Sequence, residues 1–441
     1  MSSVILSAAS PRQPSLGRLV DLVRAELIRT GETEVKVFEL STLQLAYCQG
    51  EFDCWVKTPG ICRAHDEEQD IVQAIHDAKR LVLVDVVTFG GHSFLLKRAQ
   101  DRLICLLSPF FEKRAALTHH GARYSEPAAL YSLGWLPRPD VAQERTWLNL
   151  ADGNAVNMLS PRVGAAVVDD TAPEGWPAAV EAMLASAARP GSSRHTRAPL
   201  REALLEAARP TSTSTPAPTR TASILVGSAK IMGTSVSENL ARALAARLER
   251  EGVETSLHFA VEFLRENAPA LAAARAIAAS DLFILATPLY VDALPALATH
   301  ALELVAAART SESGPARFAL LVNCGFPEPE QNRTALQIGG HFARAAGYQW
   351  AGGLPLGGGG VVDPRVPIDE QHGPREHIKR ALDAAATSLA KGGVVPPEAL
   401  AAMVQAPFPD AAYRVMGDLG WRYQAWQNGV AQRDLRDRPL D

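Results

Sequence analysis

Two kinds of apolar pattern alternate along the chain. Short unbroken runs such as Val4-Ile5-Leu6 lead into small-residue loops, and then into stretches where apolar residues recur every three or four positions. The first such stretch, LGRLVDLVRAELIRTG, closes on Gly31; a second, ENLARALAARLEREG, closes on Gly252 and follows the run Ile224-Leu225-Val226. A glycine just past the last periodic residue is a helix stop signal. Each helix is followed by another short run, Glu34 to Phe38 in one case and Glu254 to His258 in the other. Leu81-Val82-Leu83-Val84 and Phe283-Ile284-Leu285-Ala286 are continuous apolar runs that suit parallel strands buried on both faces. Ala129-Leu130-Tyr131 leads into Gly134 to Asp140 much as Ala319 to Val322 leads into Gly325 to Glu330, and a fifth run lies at Trp350 to Leu354. Matching landmarks in matching order predict an internal duplication, and the order of strands and helices predicts α/β halves with parallel sheets.

The region between the copies, from about Ala187 to Thr221, encloses a short helical stretch and otherwise has little to bury. Pro, Ser and Thr dominate its second half, which predicts a first domain over 1–186, a linker over 187–221, a second domain over 222–394 and a helical tail over 395–441. Composition narrows the class further. At 47% hydrophobic and 21% charged, the 441 residues exclude wholesale disorder. Lys+Arg of 44 against Asp+Glu of 48 leaves a net charge of -4, without the basic excess a nucleic-acid partner asks for. No apolar run approaches the roughly 20 residues that span a bilayer, so no membrane partner is expected. The first residues lack a basic n-region and the five cysteines are odd in number, so the expected location is the cytoplasm.

In doubly wound sheets ligands sit beyond the carboxyl ends of the strands, where the strand order reverses. The loops after the first, third and fourth strands of each half are therefore the informative ones. In the second half the first loop carries Ser228, Lys230, Thr234, Ser235 and Ser237 just before a helix. Hydroxyls, unpaired N–H groups and the positive helix end favour a phosphate there, although the same hydroxyls also serve as helix caps. The loop lacks both the dinucleotide glycine pattern and the P-loop pattern, which suits a terminal monophosphate. The first half offers Ser10, Arg12 and Ser15 between Pro11 and Pro14. After the third strand, Pro288-Leu289-Tyr290 is suited to wall a flat ring. The first half has Val86 and Thr88 in place of the Pro and the aromatic, leaving Phe89, Gly90 and His92 as ring contacts. Gly357 to Gly360 suit either close approach to a ligand or a flexible loop.

Longer motifs carry a family resemblance. SAASPR at Ser7 to Arg12, CxGxxxCWxKTPGxC at Cys48 to Cys62 and FGGxSxLLKRxxDRL at Phe89 to Leu103 resemble the NADPH-dependent FMN reductase family. ATPLYVDALP, NCGFPEPEQN, AGGLPLGGGG and RVMGDLGWRYQAWQNG make the second half similar to related flavodoxin-like NAD(P)H-dependent oxidoreductases. The resemblance implies two tandem flavodoxin-like domains, each a doubly wound parallel five-stranded sheet. It implies FMN as cofactor and NADPH or NADH as co-substrate. Hydride would pass to flavin and on to a small molecule: a quinone, a nitro or azo compound, free flavin or a pathway intermediate. Mapped onto this chain, Ser228, Thr234, Ser235 and Ser237 would hold the phosphate, and Pro288, Leu289 and Tyr290 would meet the ring, with Asn323, Cys324 and Gly325 nearby. In the first half Ser10, Arg12 and Ser15 would hold phosphate, but the departures at Val86 and Thr88 make its ring site the less complete. Two rival expectations are an electron carrier with no substrate of its own, and a fused dimer in which one half is purely structural; a homo-oligomer is compatible with each.

Related iron–sulfur flavoproteins hold a four-iron cluster through four cysteines in the Cys48 region. Here Glu51 stands where the second Cys is common, leaving three thiols, and no CxxC pair offers a zinc site, so no metal is expected. This segment offers either a redox thiol at Cys54 or a structural loop covering the flavin edge, the loop being the default, and Cys105 is expected in core packing. His119 and His120 are expected at a surface or interface, and Trp421, Tyr423 and Trp426 as anchors that dock a C-terminal helix on the body or a partner subunit. Because the cofactor carries the hydride chemistry, no catalytic acid or base is assigned; Tyr290, Asn323 and His92 are candidates for shaping the pocket.

Overall fold

A computed structural model describes residues 2–11, 13–188, 197–211, 217–310 and 313–441. The chain divides into two compact units, Met1–His195 with Arg414–Asp441, and Thr196–Tyr413. In unit 1 the strands are β1 (Ser2–Ser7), β2 (Glu34–Glu39), β3 (Arg80–Val86), β4 (Leu107–Arg114), β5 (Leu117–Ala122), β6 (Ala129–Leu136) and β7 (Val163–Asp169). Five of them form a parallel sheet in the order β2-β1-β3-β6-β7, while β4 and β5 pair antiparallel as a separate hairpin. Unit 2 contains β8 (Thr221–Val226), β9 (Glu254–Phe259), β10 (Leu282–Pro288), β11 (Arg317–Asn323) and β12 (Gln349–Leu356), a parallel sheet in the order β9-β8-β10-β11-β12. Each unit thus repeats the order 2-1-3-4-5, with its switch point between the first and third strands.

The central strands are buried on both faces, which is why their sequences read as unbroken apolar runs; β6, β10 and β11 expose almost nothing. Flanking helices bury one stripe each. The helix Pro14–Arg29 packs Leu16, Leu19, Val23 and Leu27 against the first core, and Val236–Arg250 packs Leu240, Leu244 and Leu248 against the second. The register of β12 shifts opposite Phe318/Ala319, where Gly352 takes a φ of 103° that an L side chain resists.

Three features depart from the sequence reading. First, the β4–β5 hairpin carries His119 and His120 inward. His119 is buried with Nδ1 2.8 Å from Asn157 Oδ1, and the His120 ring lies 4.3 Å from that of Trp55 with Nδ1 3.1 Å from the Pro109 carbonyl. His119 is thus buried, and His120 is half-buried where it covers the Trp55 ring. Second, the helical stretch expected inside the linker is Arg197–Ala208, and it does not lie free: its Leu204 and Ala208 are buried in unit 2. Arg197 and Arg201 both pair with the buried carboxylate of Glu330, at 3.1 and 2.7 Å. Linker positions 189–196 and 212–216 lie outside the described residues. Third, the end of the chain belongs to unit 1. Trp421 sets its ring edge-on to Trp55 (5.2 Å) and Phe52 (5.1 Å), and with Leu440 it packs on the first core. Tyr423 and Trp426, expected to dock as well, remain exposed.

Candidate functional site

The richest constellation in unit 2 lies at the carboxyl ends of β8, β10 and β11. After β8 the chain leaves at Gly227, where a Cβ would stand 2.6 Å from Thr287 Oγ1, so the first and third loops approach closely at the switch point. Ser228 and Ser235 are buried beside it. Ser235 is the N-cap of the helix Val236–Arg250, with extended backbone (φ −111°, ψ 131°) and no capping bond from its hydroxyl. Among the described residues the backbone N–H groups of Val236, Ser237 and Glu238 have no acceptor. Three unpaired donors at the positive end of a 15-residue helix form an anion cradle, and this donor set fits the phosphate of FMN.

Not every hydroxyl named from sequence serves that cradle directly. Thr234 Oγ1 donates to the Ile231 carbonyl (2.6 Å), shaping the loop. Ser237 Oγ donates to Asn323 Oδ1 (2.7 Å), which joins the first loop to the fourth. The Lys230 N–H reaches Ser228 Oγ at 3.3 Å. Glu238 escaped the sequence reading. Its Oε2 accepts from Gly233 N–H (2.7 Å) and its Oε1 from Arg242 Nε (2.9 Å), so a buried carboxylate braces the loop. The Ser235-x-x-Glu238 spacing, a capping-box signature, was the available signal.

The third loop is a strained turn. Tyr290 and Ala293 exchange backbone hydrogen bonds at 3.0 and 3.1 Å, with Val291 at φ 48° and Asp292 at φ 60° between them. Positive φ is unusual for a β-branched residue and is tolerated where the surroundings over-determine it, commonly at functional sites. Pro288, Leu289 and Tyr290 are half-buried, and Leu289 N–H bonds the Asn323 carbonyl (2.9 Å). Unit 1 repeats the turn: Thr88 and Gly91 exchange bonds at 2.8 and 2.9 Å, with Phe89 at φ 53° and Gly90 at 81°.

In the fourth loop Gly325 is exposed, but Cys324 turns inward. Its thiol donates to the carbonyls of Phe326 (3.3 Å) and Glu328 (3.5 Å), and burial pushes its pKa up to about 12. The Cys324 thiol is therefore turned away from any ligand, and its backbone N–H is bonded to Leu356 O (3.0 Å). The glycine run braces this loop: Gly358 N–H bonds Phe326 O (2.6 Å) and Gly359 N–H bonds Cys324 O (2.8 Å). A Cβ on Gly357 would stand 2.5 Å from the Pro327 carbonyl, so the close approach is to backbone. Tyr413 Oη donates to Gly325 O (2.8 Å) from the far end of the unit.

The equivalent loop of unit 1 is poorer in donors. Pro14 occupies the first helical position and has no N–H, and the Leu16 N–H is spent on the Gln13 carbonyl. Ser10 Oγ lies 3.3 Å from Gln13 Oε1, Ser15 is half-buried, and Arg12 lies outside the described residues. His92 does not face a ring site. It is buried with Nδ1 3.4 Å from Asp85 and Nε2 3.2 Å from Asn154 Oδ1. Asp85, also buried, accepts from the Ser93 N–H (2.9 Å) and hydroxyl (2.6 Å). This polar network fills the space behind β3.

The cysteine segment is packed rather than open. Phe52 stacks on Trp55 at 5.2 Å, and Trp55 Nε1 donates to the Leu107 carbonyl (3.1 Å). Arg102 Nη2 donates to Cys62 Sγ (3.4 Å). Burial holds the Cys54 thiol well above its ordinary pKa and raises Cys105 to about 12. Among the described residues no group of His, Cys, Asp and Glu is arranged to hold a metal, and no helix is long and apolar enough to cross a membrane.

The model of the NADPH-dependent FMN reductase family matches residues 1–133 and again 221–326. The matches span more than half of the chain, which belongs to this family in two tandem copies: an oxidoreductase that uses FMN with a reduced nicotinamide as electron donor. No protein of curated function matches the sequence. Among solved structures, the chain is similar to an NAD(P)H:quinone oxidoreductase from Methanothermobacter marburgensis, at 13% identity over 41% of this chain and 94% of that one (TM-score 0.33). It is also similar to an FMN-dependent NADH-azoreductase from Bacillus anthracis with FMN bound, at 10% identity over 39% and 99% (TM-score 0.28). A third is RosB with a bound flavin-phosphate intermediate, at 16% identity over 42% and 77% (TM-score 0.29).

Proposed function

We propose that unit 2 is the working half, binding one FMN per chain and passing reducing equivalents from NADPH or NADH to a small cytoplasmic acceptor such as a quinone, a nitro or azo compound, or free flavin. FMN supplies the hydride chemistry when bound. The chain supplies the rest. Val236, Ser237 and Glu238 N–H groups hold the phosphate, with the Ser228 and Ser235 hydroxyls alongside. Pro288, Leu289 and Tyr290 wall the ring, with Asn323, Cys324 and Gly325 nearby. The Ser237–Asn323 bond fixes the phosphate loop against the ring loop, so that both ends of the cofactor are set by one hydrogen bond. Unit 1 then serves as scaffold.

The observation that carries this reading is the contrast at the two helix starts: three unpaired N–H groups in unit 2, against a proline and an internally satisfied donor in unit 1. The test is the visible spectrum of the purified protein with released FMN counted against chain. One FMN per chain, abolished by changes at the second loop only, is the expected result. Two per chain, or loss on changing the Ser10 to Ser15 loop, would overturn it.

A further inference from the structure

The helix Asp410–Gln427 uses only one side to dock on unit 1. Asp418 accepts the Phe111 N–H (3.1 Å), Trp421 stands on Phe52 and Trp55, and Ala425 is fully buried. Gly417 lets the helix lie directly on Phe111, since a Cβ there would stand 2.3 Å from the ring. The other side is apolar and bare: Met416 is 53% exposed, Leu419 61%, Tyr423 57% and Trp426 69%, with Val415 beside them at 61%. Four large side chains left in water on one helix are unusual, and patches of this kind mark interaction sites.

We propose that this face pairs with the same face of a second copy of the chain, giving a homodimer through its C-terminal helices. The spacing argues for a helix as occupant. Met416, Leu419, Tyr423 and Trp426 follow one another at intervals of three, four and three, the alternation of a and d positions in a heptad seam. A seam of that form is self-complementary, so two copies meet about a twofold axis with the same residues on both sides. The area is adequate: the five side chains expose roughly 600 Å² per copy, so a pair buries about 1,200 Å², the lower edge of a standard interface. The Tyr423 and Trp426 rings lie 5.9 Å apart and form an aromatic ledge of the type that dominates interface energetics. Charge argues against a lipid surface. Asp410, Arg414, Asp418 and Arg422 alternate in sign along the helix and sum to zero, whereas membrane-surface helices carry a Lys/Arg excess. The pairing needs no flavin.

Sedimentation velocity on the full chain over a wide concentration range tests it. Wild type is expected at twice the 47.2 kDa chain mass, and Leu419→Glu with Tyr423→Glu at the single-chain mass. Both positions are exposed, so the urea midpoint and far-ultraviolet dichroism of the variant should match wild type. Wild type running as a single chain throughout, or a variant that stays dimeric, would overturn the proposal. So would co-sedimentation of wild type, but not the variant, with phosphatidylserine vesicles, which would assign the face to a membrane.

Discussion

Val236→Pro converts the start of the second helix into a copy of the first, where Pro14 stands at the same position. The helix should tolerate it. Proline is favoured at the first helical position, and the residue before it must be extended, as Ser235 already is at φ −111° and ψ 131°. The variant therefore removes one N–H from the anion cradle and little else. A hydrogen bond to a charged group is worth about 1.5–3 kcal/mol, so FMN should bind roughly 10- to 150-fold more weakly. Riboflavin, which lacks the phosphate, should bind as to wild type. Quenching of flavin fluorescence on titration reads both constants. An FMN affinity unchanged by the proline, or equal losses for FMN and riboflavin, would refute the assignment of phosphate to this helix.

Other outcomes follow from the same geometry. Asp85→Ala strands the Ser93 N–H and hydroxyl in a buried site and should cost about 2–4 kcal/mol in urea denaturation, with FMN content unchanged because the network lies in unit 1. Trp55→Ala empties the middle of the aromatic cluster and should cost about 3–5 kcal/mol by the same assay. Burial lowers the His120 pKa to about 3, so the unfolded chain binds its proton first as pH falls below about 6.5. Stability should therefore drop on acidification between those two values by up to ~1.4 kcal/mol per pH unit from this group, and His120→Phe should flatten that slope in pH-dependent urea titrations. A thiol reagent at neutral pH should leave Cys54, Cys105 and Cys324 unmodified in the folded protein and label all five cysteines in denaturant, since burial both shields these three and keeps them protonated.

What the sequence disclosed and what it hid divide along a physical line. Ile224-Leu225-Val226 and Phe283 to Ala286 were legible as strands because burial on both faces demands unbroken apolar residues. The duplication and the three loops followed from them. The β4–β5 hairpin was not legible: Phe111 and His120 take their partners from each other, from Trp55 and from a tail 307 residues away, which no local pattern encodes. His92 looked like a ring contact by its place after the third strand, yet it is buried against Asn154 and the Trp147 ring. Cys324 likewise sits at the expected strand end, but only the backbone path shows that its thiol points away. Loop position was readable; side-chain direction depended on distant partners.

The closure of unit 1 by the last residues of the chain also sets a timetable. Phe111 is synthesised 307 residues before the Asp418 that bonds it. At roughly 5–20 residues per second, the ribosome needs about 15–60 s to make that intervening length. Throughout that interval the face formed by Phe52, Trp55 and Phe111 has no Trp421 to cover it. Each nascent chain thus carries an aromatic patch that stays open until Trp421 has been made, so ribosome-stalled products and products truncated before Trp421 should be the forms that chaperones retain.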